Sequence, residues 1–178
     1  MILVLTGQER FAFDRLLAMV DEGLERGIIP GPVFAQTGSS RYEPRHIQAE
    51  AFLPSERLES MIREADGIIT HAGVGSILMI IKAGKVPIIV PRRSEWGEHV
   101  DDHQVELARR LGETGRARMV EDAASLYALF QDEAWRARCP GRKAGAAPAA
   151  ALAQGLGAII SEIAARNVRP GTSSRRRG

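Results

Sequence analysis

Residues 67–106 read GIITHAGVGSILMIIKAGKVPIIVPRRSEWGEHVDDHQVE. The stretch opens on a short apolar run, Gly67–Thr70. A turn of small residues follows, His71-Ala72-Gly73-Val74-Gly75-Ser76. Then come a helical segment, Ile77–Ala83, and a second apolar run, Pro87–Val90. Two strands joined by a helix read as a right-handed βαβ unit of a parallel sheet. In such sheets ligands sit outside the carboxyl ends of the strands. The turn at that end has glycines that let a ligand approach the backbone. It also runs into a helix N-terminus, whose free N–H groups attract anions. A phosphate-bearing ligand at residues 71–76 is therefore the first expectation.

The flanking sequence extends the same pattern. Ile2–Thr6 is a short apolar strand closed by Gly7, and Phe13, Leu16, Leu17, Val20 and Leu24 recur at helical spacing over 12–26. Val33–Thr37 and Ile47–Leu53 read as strands two and three. Ser55 is the expected N-cap of a helix that turns Leu58, Met61, Ile62 and Ala65 inward. Downstream, a helix over 99–111 places Val100, Gln104, Leu107, Ala108 and Leu111 on one stripe. Ala117–Val120 is a sixth strand, and Asp122 caps a last short helix. The order predicts a doubly wound, parallel, six-stranded α/β domain over residues 1–135. Residues 136–147 read as a linker. A C-terminal amphipathic helix over 148–166 carries Leu152, Leu156, Ile159, Ile160 and Ile163. Residues 167–178 read as a disordered basic tail.

Composition narrows the class. The chain of 178 residues is long enough for one self-sufficient core. A single cysteine, Cys139, excludes a disulfide framework and predicts a reducing, cytoplasmic setting. No apolar run approaches the length of a membrane span, and MILVLTG lacks the basic and long apolar regions of a signal peptide. The charge is asymmetric. Residues 136–178 carry nine Lys/Arg and one acid, whereas residues 1–135 carry fifteen against twenty-one. The basic end is either solvated or suited to an anionic surface. Gly73-Val74-Gly75 does not complete a dinucleotide fingerprint, because Leu78 stands at the third glycine position. His99, Asp101, Asp102 and His103 crowd one loop, but helix starts attract acids anyway, and no metal is expected there.

The segments HAGVGSIL, GKVPIIVPR and GEHVDDHQVELA, with the opening ILVLTGQERFAFDRLLAMVDE, resemble the C-terminal, nucleotide-sugar-binding half of GT-B glycosyltransferases, family 28 type. They are most similar to its free-standing small subunits. These are the bacterial exopolysaccharide glycosyltransferase small subunit and the catalytic subunit of the eukaryotic dolichol-linked N-acetylglucosaminyltransferase. The likeness covers about residues 1–130.

The resemblance implies that His71, Gly73, Gly75 and Ser76, with Thr6, Gly7 and Gln8, hold the diphosphate of a UDP-sugar, with no metal or other cofactor. Without the glycines, His71 would read as a structural histidine at a strand end. Phe52 and Leu53 match the segment that flanks the uracil, although an apolar strand end fills the same positions in any fold. Gln104, beside His103, matches a contact to sugar hydroxyls. Arg92, Arg93 and Glu98 follow the fifth strand, where the arginines either reach the diphosphate or stay solvated. One position departs: Met79 stands where many relatives carry a glutamate for the ribose.

The implied reaction is inverting sugar transfer. The acceptor, a lipid-linked sugar, would be held by a separate membrane-anchored subunit in exopolysaccharide or glycolipid biosynthesis. The chain would then meet the cytoplasmic face of the membrane peripherally, with no nucleic-acid role. The general base would come from that partner or from His99. A non-catalytic nucleotide- or partner-binding module of the same fold is the alternative.

Overall fold

The computed structural model describes residues 1–133, together with 157, 158 and 161. Over residues 1–133 the elements run β1 (Ile2–Leu5), α1 (Asp14–Glu25), β2 (Val33–Gln36), β3 (Gln48–Glu50), α2 (Ser55–Glu64), β4 (Gly67–Thr70), α3 (Val74–Lys82), β5 (Ile88–Ile89), α4 (His103–Glu113), β6 (Arg118–Met119) and α5 (Ala123–Gln131), strand and helix alternating except where β2 leads directly to β3. All five pairings are parallel, in the order β3-β2-β1-β4-β5-β6. This is the doubly wound α/β architecture expected from the sequence.

The central strands are apolar throughout because both of their faces are covered. Ile2 and Val4 of β1 join Ile69, Ile88 and the inner faces of α1 and α5. Leu3 and Leu5 point the other way, onto Ile68 and the inner faces of α2 and α3. A third group, with Ile77 and Ile81 of α3, Leu107 and Leu111 of α4 and Ile89, closes the sheet toward β6. Each fully buried leucine or isoleucine contributes about 1.5–3 kcal/mol. The sheet is therefore a stiff floor for the loops at its carboxyl edge.

The order reverses between β1 and β4. The chain leaving β1 turns toward β2, and the chain leaving β4 turns toward β5. The point between the two turns is the usual ligand position in this architecture. Leu5 lies beside Thr70 in the register, so Thr6 and His71 are the first residues past the strands on either side.

Several boundaries differ from the sequence reading. Strand three is shorter, Gln48–Glu50, and Phe52 lies beyond it, exposed. Pro54, not Ser55, occupies the N-cap of α2; Ser55 is its first helical residue, and no side chain caps it. Helix α4 starts at His103 rather than 99. Asp101 and Asp102 hold the preceding residues in a loop: Ser94 donates to Asp102 Oδ1 from its N–H and its hydroxyl, both at 2.9 Å, and the His103 N–H donates to Asp101 Oδ1. Val100 therefore sits outside the helix and is 67 % exposed, not on the buried stripe. Asp122 does cap α5, in a reciprocal capping box with Ser125. Of the expected C-terminal helix, residues 157, 158 and 161 are described, all helical; the expected linker and basic tail lie outside the described residues.

Candidate functional site

The turn after β4 begins where the His71 N–H donates to the Leu5 carbonyl at 3.0 Å. Gly73 then takes the N-cap position of α3 in extended conformation. It has no side chain to cap the helix, and the first turn carries no acid. The first helical bond runs from the Ile77 N–H to the Gly73 carbonyl. The N–H groups of Val74, Gly75 and Ser76 precede it and meet no acceptor among the described residues, nor does the Ser76 hydroxyl meet a partner there. Three parallel N–H donors with the positive end of the helix behind them form a corner chemically suited to an anion.

The glycines of this corner have two different uses. His71 is only 6 % exposed and lies between Gly7 and Gly73. A Cβ on Gly73 would stand 2.0 Å from its Nε2, and one on Gly7, whose φ is +96°, would stand 2.7 Å away. These two glycines make room for the imidazole. Gly75 differs: a Cβ there would meet nothing within 4 Å. Its missing side chain leaves open space beside the first turn of the helix. Gly38, after β2, packs against the Gly7 carbonyl and brings the β2 loop to the same corner.

Burial, and then the nearby Arg92 charge, lower the His71 pKa from the ordinary 6.5 to about 4. The ring is neutral at physiological pH, with Nδ1 at 3.4 Å from both the Leu5 carbonyl and the Thr70 hydroxyl. Because the folded-state pKa is the lower one, the unfolded chain binds more protons between pH 6.5 and 4. Stability from this group is complete above that window and lost as pH falls through it, by up to about 3 kcal/mol. Urea titrations are expected to show wild-type stability falling from pH 6.5 to 4.5 and His71→Gln losing most of that slope; an unchanged slope would contradict the assignment.

Arg92 does not occupy a solvated loop, as one reading of the sequence had it. It is 1 % exposed, with Nη2 donating to the Thr6 carbonyl at 2.6 Å and Nη1 to the Glu98 carbonyl at 3.0 Å. Its guanidinium stands 5.2 Å from the Phe13 ring centroid. Thr6 is equally committed, its hydroxyl donating to the Gln36 carbonyl. Gln104 is buried on α4, as its place on an apolar stripe required. Its Oε1 accepts from the N–H of Ala72 at 3.2 Å and of Arg92 at 3.4 Å, joining the β4 turn to the loop after β5.

That loop is anchored by Glu98, a candidate in the sequence, together with two groups the sequence reading passed over, Arg15 and Glu9. Glu98, 6 % exposed, accepts two hydrogen bonds of 2.9 Å from Arg15 on α1 and one from the Arg93 N–H. Arg15 also donates to the Pro91 and Glu121 carbonyls and stacks 4.4 Å over Trp96. Glu98 is thus turned away from the corner. The Arg93 guanidinium is paired with Glu121 and Glu95. His99 bridges two segments, with Nε2 3.3 Å from Glu9 and Nδ1 3.1 Å from Asp101. Asp101 also faces His103 Nδ1 at 3.1 Å. An arginine flanking an apolar helix stripe and a glutamate two residues past a turn glycine are ordinary surface patterns, so neither Arg15 nor Glu9 carried a signal.

The remaining expected residues lie on the loops after β3 and β1 and on α3. Phe52 is 55 % exposed, while Leu53 is buried under α2. Gln8 is exposed beside Gly7. Met79 packs with the α2–α3 core group and lines a shallow groove with Glu59, Ile62, Arg63, Lys82 and Ala83. Among the described residues no three His, Cys, Asp or Glu side chains are grouped to hold a metal, and no helix is long and apolar enough to cross a membrane.

The fold is an open, doubly wound α/β domain, with an uncapped helix start and a glycine-containing turn at its switch point. Residues 1–132 match the glycosyltransferase family 28 C-terminal domain, and the chain belongs to that family. Over 153 residues it is 25 % identical to the human UDP-N-acetylglucosamine transferase subunit ALG13, covering 86 % of this chain and 11 % of that protein. Over 59 residues it is 42 % identical to the Cryptococcus neoformans subunit of the same name, covering 32 % of this chain and 28 % of that one. The chain thus spans a minor part of both relatives. Among solved structures, Acinetobacter baumannii MurG matches 92 % of this chain and 49 % of its own with a TM-score of 0.58 and 20 % identity. The solution structure of ALG13 matches 87 % of this chain and 94 % of its own with a TM-score of 0.51 and 18 % identity. These structural likenesses establish a shared fold.

Proposed function

We propose that this chain is the donor-binding, catalytic subunit of a UDP-sugar glycosyltransferase. It would transfer the sugar with inversion to a lipid-linked acceptor held by a separate, membrane-anchored subunit, in exopolysaccharide or glycolipid synthesis at the cytoplasmic face of a membrane. The observation that carries this reading is the uncapped start of α3 at the switch point, with Gly75 leaving open space beside its first turn. The relatives named as UDP-N-acetylglucosamine transferase subunits support UDP-N-acetylglucosamine as the donor and a heteromeric enzyme.

In this reading the pyrophosphate meets the N–H groups of Val74, Gly75 and Ser76 and the Ser76 hydroxyl, without a metal. Gly7, Gln8 and His71 border it, Phe52 and Leu53 flank the uracil, and His103 and the Gln104 amide face the sugar. As the sugar–phosphate bond breaks, negative charge grows on the departing UDP. Donors fixed in advance stabilise that charge by a few kcal/mol, about 2.7–4 for one well-placed donor in comparable oxyanion sites. The acceptor hydroxyl must lose a proton to a base within hydrogen-bond reach. His99, held between Glu9 and Asp101, is this chain's candidate, and the partner subunit is the other source.

Among the described residues, the exposed large apolar side chains Phe52, Val74, Trp96 and Val100 all follow the carboxyl ends of strands, those of β3, β4 and β5. Such clustering marks a face that meets another molecule, and it supports a partner closing over the site. A second reading, nucleotide binding without catalysis, draws on Met79, whose thioether cannot accept hydrogen bonds from ribose as a carboxylate would. Co-expression with a candidate acceptor-binding subunit separates the two. Transfer of label from UDP-N-acetylglucosamine to a lipid-linked acceptor, requiring both proteins, is the expected result. Nucleotide binding with no turnover in any pairing would favour the module.

A further inference from the structure

Arg92 is a buried cation without a bonded counter-ion. Both of its hydrogen bonds go to neutral carbonyls, those of Thr6 and Glu98, and its Nε has no partner. The two nearest carboxylates are engaged elsewhere: Glu98 with Arg15 and the Arg93 N–H, Glu9 with His99. Burying a guanidinium is costly, and a neutral side chain of similar size is often the more stable choice where no tight ion pair forms. Backbone carbonyls alone do not call for a positive charge, since an amide N–H satisfies them as well. Desolvation pulls the Arg92 pKa below its ordinary value, and the charges of Glu9 and Glu98 offset this only in part, yet arginine keeps its proton at neutral pH.

The position of the charge suggests its use. Arg92 is bonded to the last carbonyl before Gly7, directly behind the wall formed by Gly7, His71 and Gly73. Its field reaches the corner, because after burial it is the largest influence holding His71 neutral. Its own backbone N–H shares the Gln104 oxygen with Ala72 of the turn, so the charge and the turn are fixed to one another.

We infer that Arg92 is a positioning residue that acts on a bound diphosphate through space: the anion completes the charge balance of a guanidinium that the protein leaves without a hydrogen-bonded carboxylate. The inference rests on the donor-site reading and deepens it. A field from behind the wall strengthens binding in proportion to ligand charge and makes no contact with the ligand. It is also least screened where the low-dielectric core surrounds it.

The test is a charge series, uridine, UMP and UDP, titrated against the wild-type chain, Arg92→Gln and Arg92→Lys. For Arg92→Gln, UDP is expected to bind about 10–30-fold more weakly, UMP about 3–5-fold, and uridine within about 2-fold, as through-space attraction scales with charge. The ligand-free melting temperature of Arg92→Gln is expected at or above the wild-type value, and Arg92→Lys is expected to keep the graded preference for UDP. Equal losses for all three ligands, or a lowered melting temperature with no dependence on ligand charge, would assign Arg92 to packing and overturn the inference. A wild-type chain that binds UDP no better than uridine would instead remove the donor site itself, and this inference with it.

Discussion

Saturating UDP is expected to raise the melting temperature of the wild-type chain by about 5–10 °C, and the His71→Ala variant is expected to lose nearly all of that rise. The size follows from linkage. Ligand at a hundred times its dissociation constant adds about 2.7 kcal/mol, and a chain of this length shifts by about 2–4 °C per kcal/mol. His71 sits between the glycines of the β1 and β4 turns, so it sets their spacing as well as offering a polar edge. Alanine there leaves a void that the turns can close into. A loss of about 100-fold in affinity, equivalent to about 2.7 kcal/mol, reduces the shift at the same UDP concentration to about 1 °C. Each protein is compared with its own ligand-free state, so a general loss of stability in the variant does not count as a loss of binding. An undiminished shift in His71→Ala would remove His71 from the site.

The second large effect separates two glycines that lie two residues apart. Gly73→Ala would place a methyl 2.0 Å from His71 Nε2, well inside any real contact, in a ring packed on all sides. The imidazole must move, and overpacking of this kind costs about 1–3 kcal/mol. Stability and UDP binding are expected to fall together. Gly75→Ala meets nothing in the protein, its φ is not in the left-handed region, and it lies in the first turn of α3. Alanine is a better helix former than glycine by up to about 1 kcal/mol, so stability is expected to hold or rise slightly. The added methyl nonetheless projects into the open space beside the first turn of α3, and UDP affinity is expected to drop more than tenfold. Chemical denaturation and calorimetric titration of the two variants check both halves. A Gly75→Ala protein that binds UDP as the wild type does would mean that no ligand approaches the backbone there.

Much of the fold could be read from the chain because it rests on signals that are local. Apolar runs of four or five residues alternate with helical stripes, and in a doubly wound sheet nearly every central strand is buried on both faces. The turn at 71–76 was equally readable, since glycines before an apolar helix have few other uses. What the sequence concealed depends mostly on contacts between residues far apart in the chain. Gly7 and Gly73 serve the same imidazole, which no spacing reveals. Arg92 and Arg93 look alike in sequence, yet one is buried on carbonyls and the other paired with surface glutamates. Glu98 carries no mark of its clamp to Arg15, 83 residues earlier. Val100 failed as a core residue for a local reason instead: Asp101 and Asp102 fold back on themselves and on Ser94, delaying the helix that would have buried it.

The central claim is that the start of α3, bare of any capping side chain, receives a pyrophosphate. A crystal structure of the chain with UDP tests it most directly. The phosphate oxygens are expected about 3 Å from the N–H groups of Val74, Gly75 and Ser76, with the uracil toward Phe52, a geometry set by ordinary hydrogen-bond lengths. Nucleotide bound at any other place, or those three N–H groups covered by protein side chains while UDP is saturating, would contradict it.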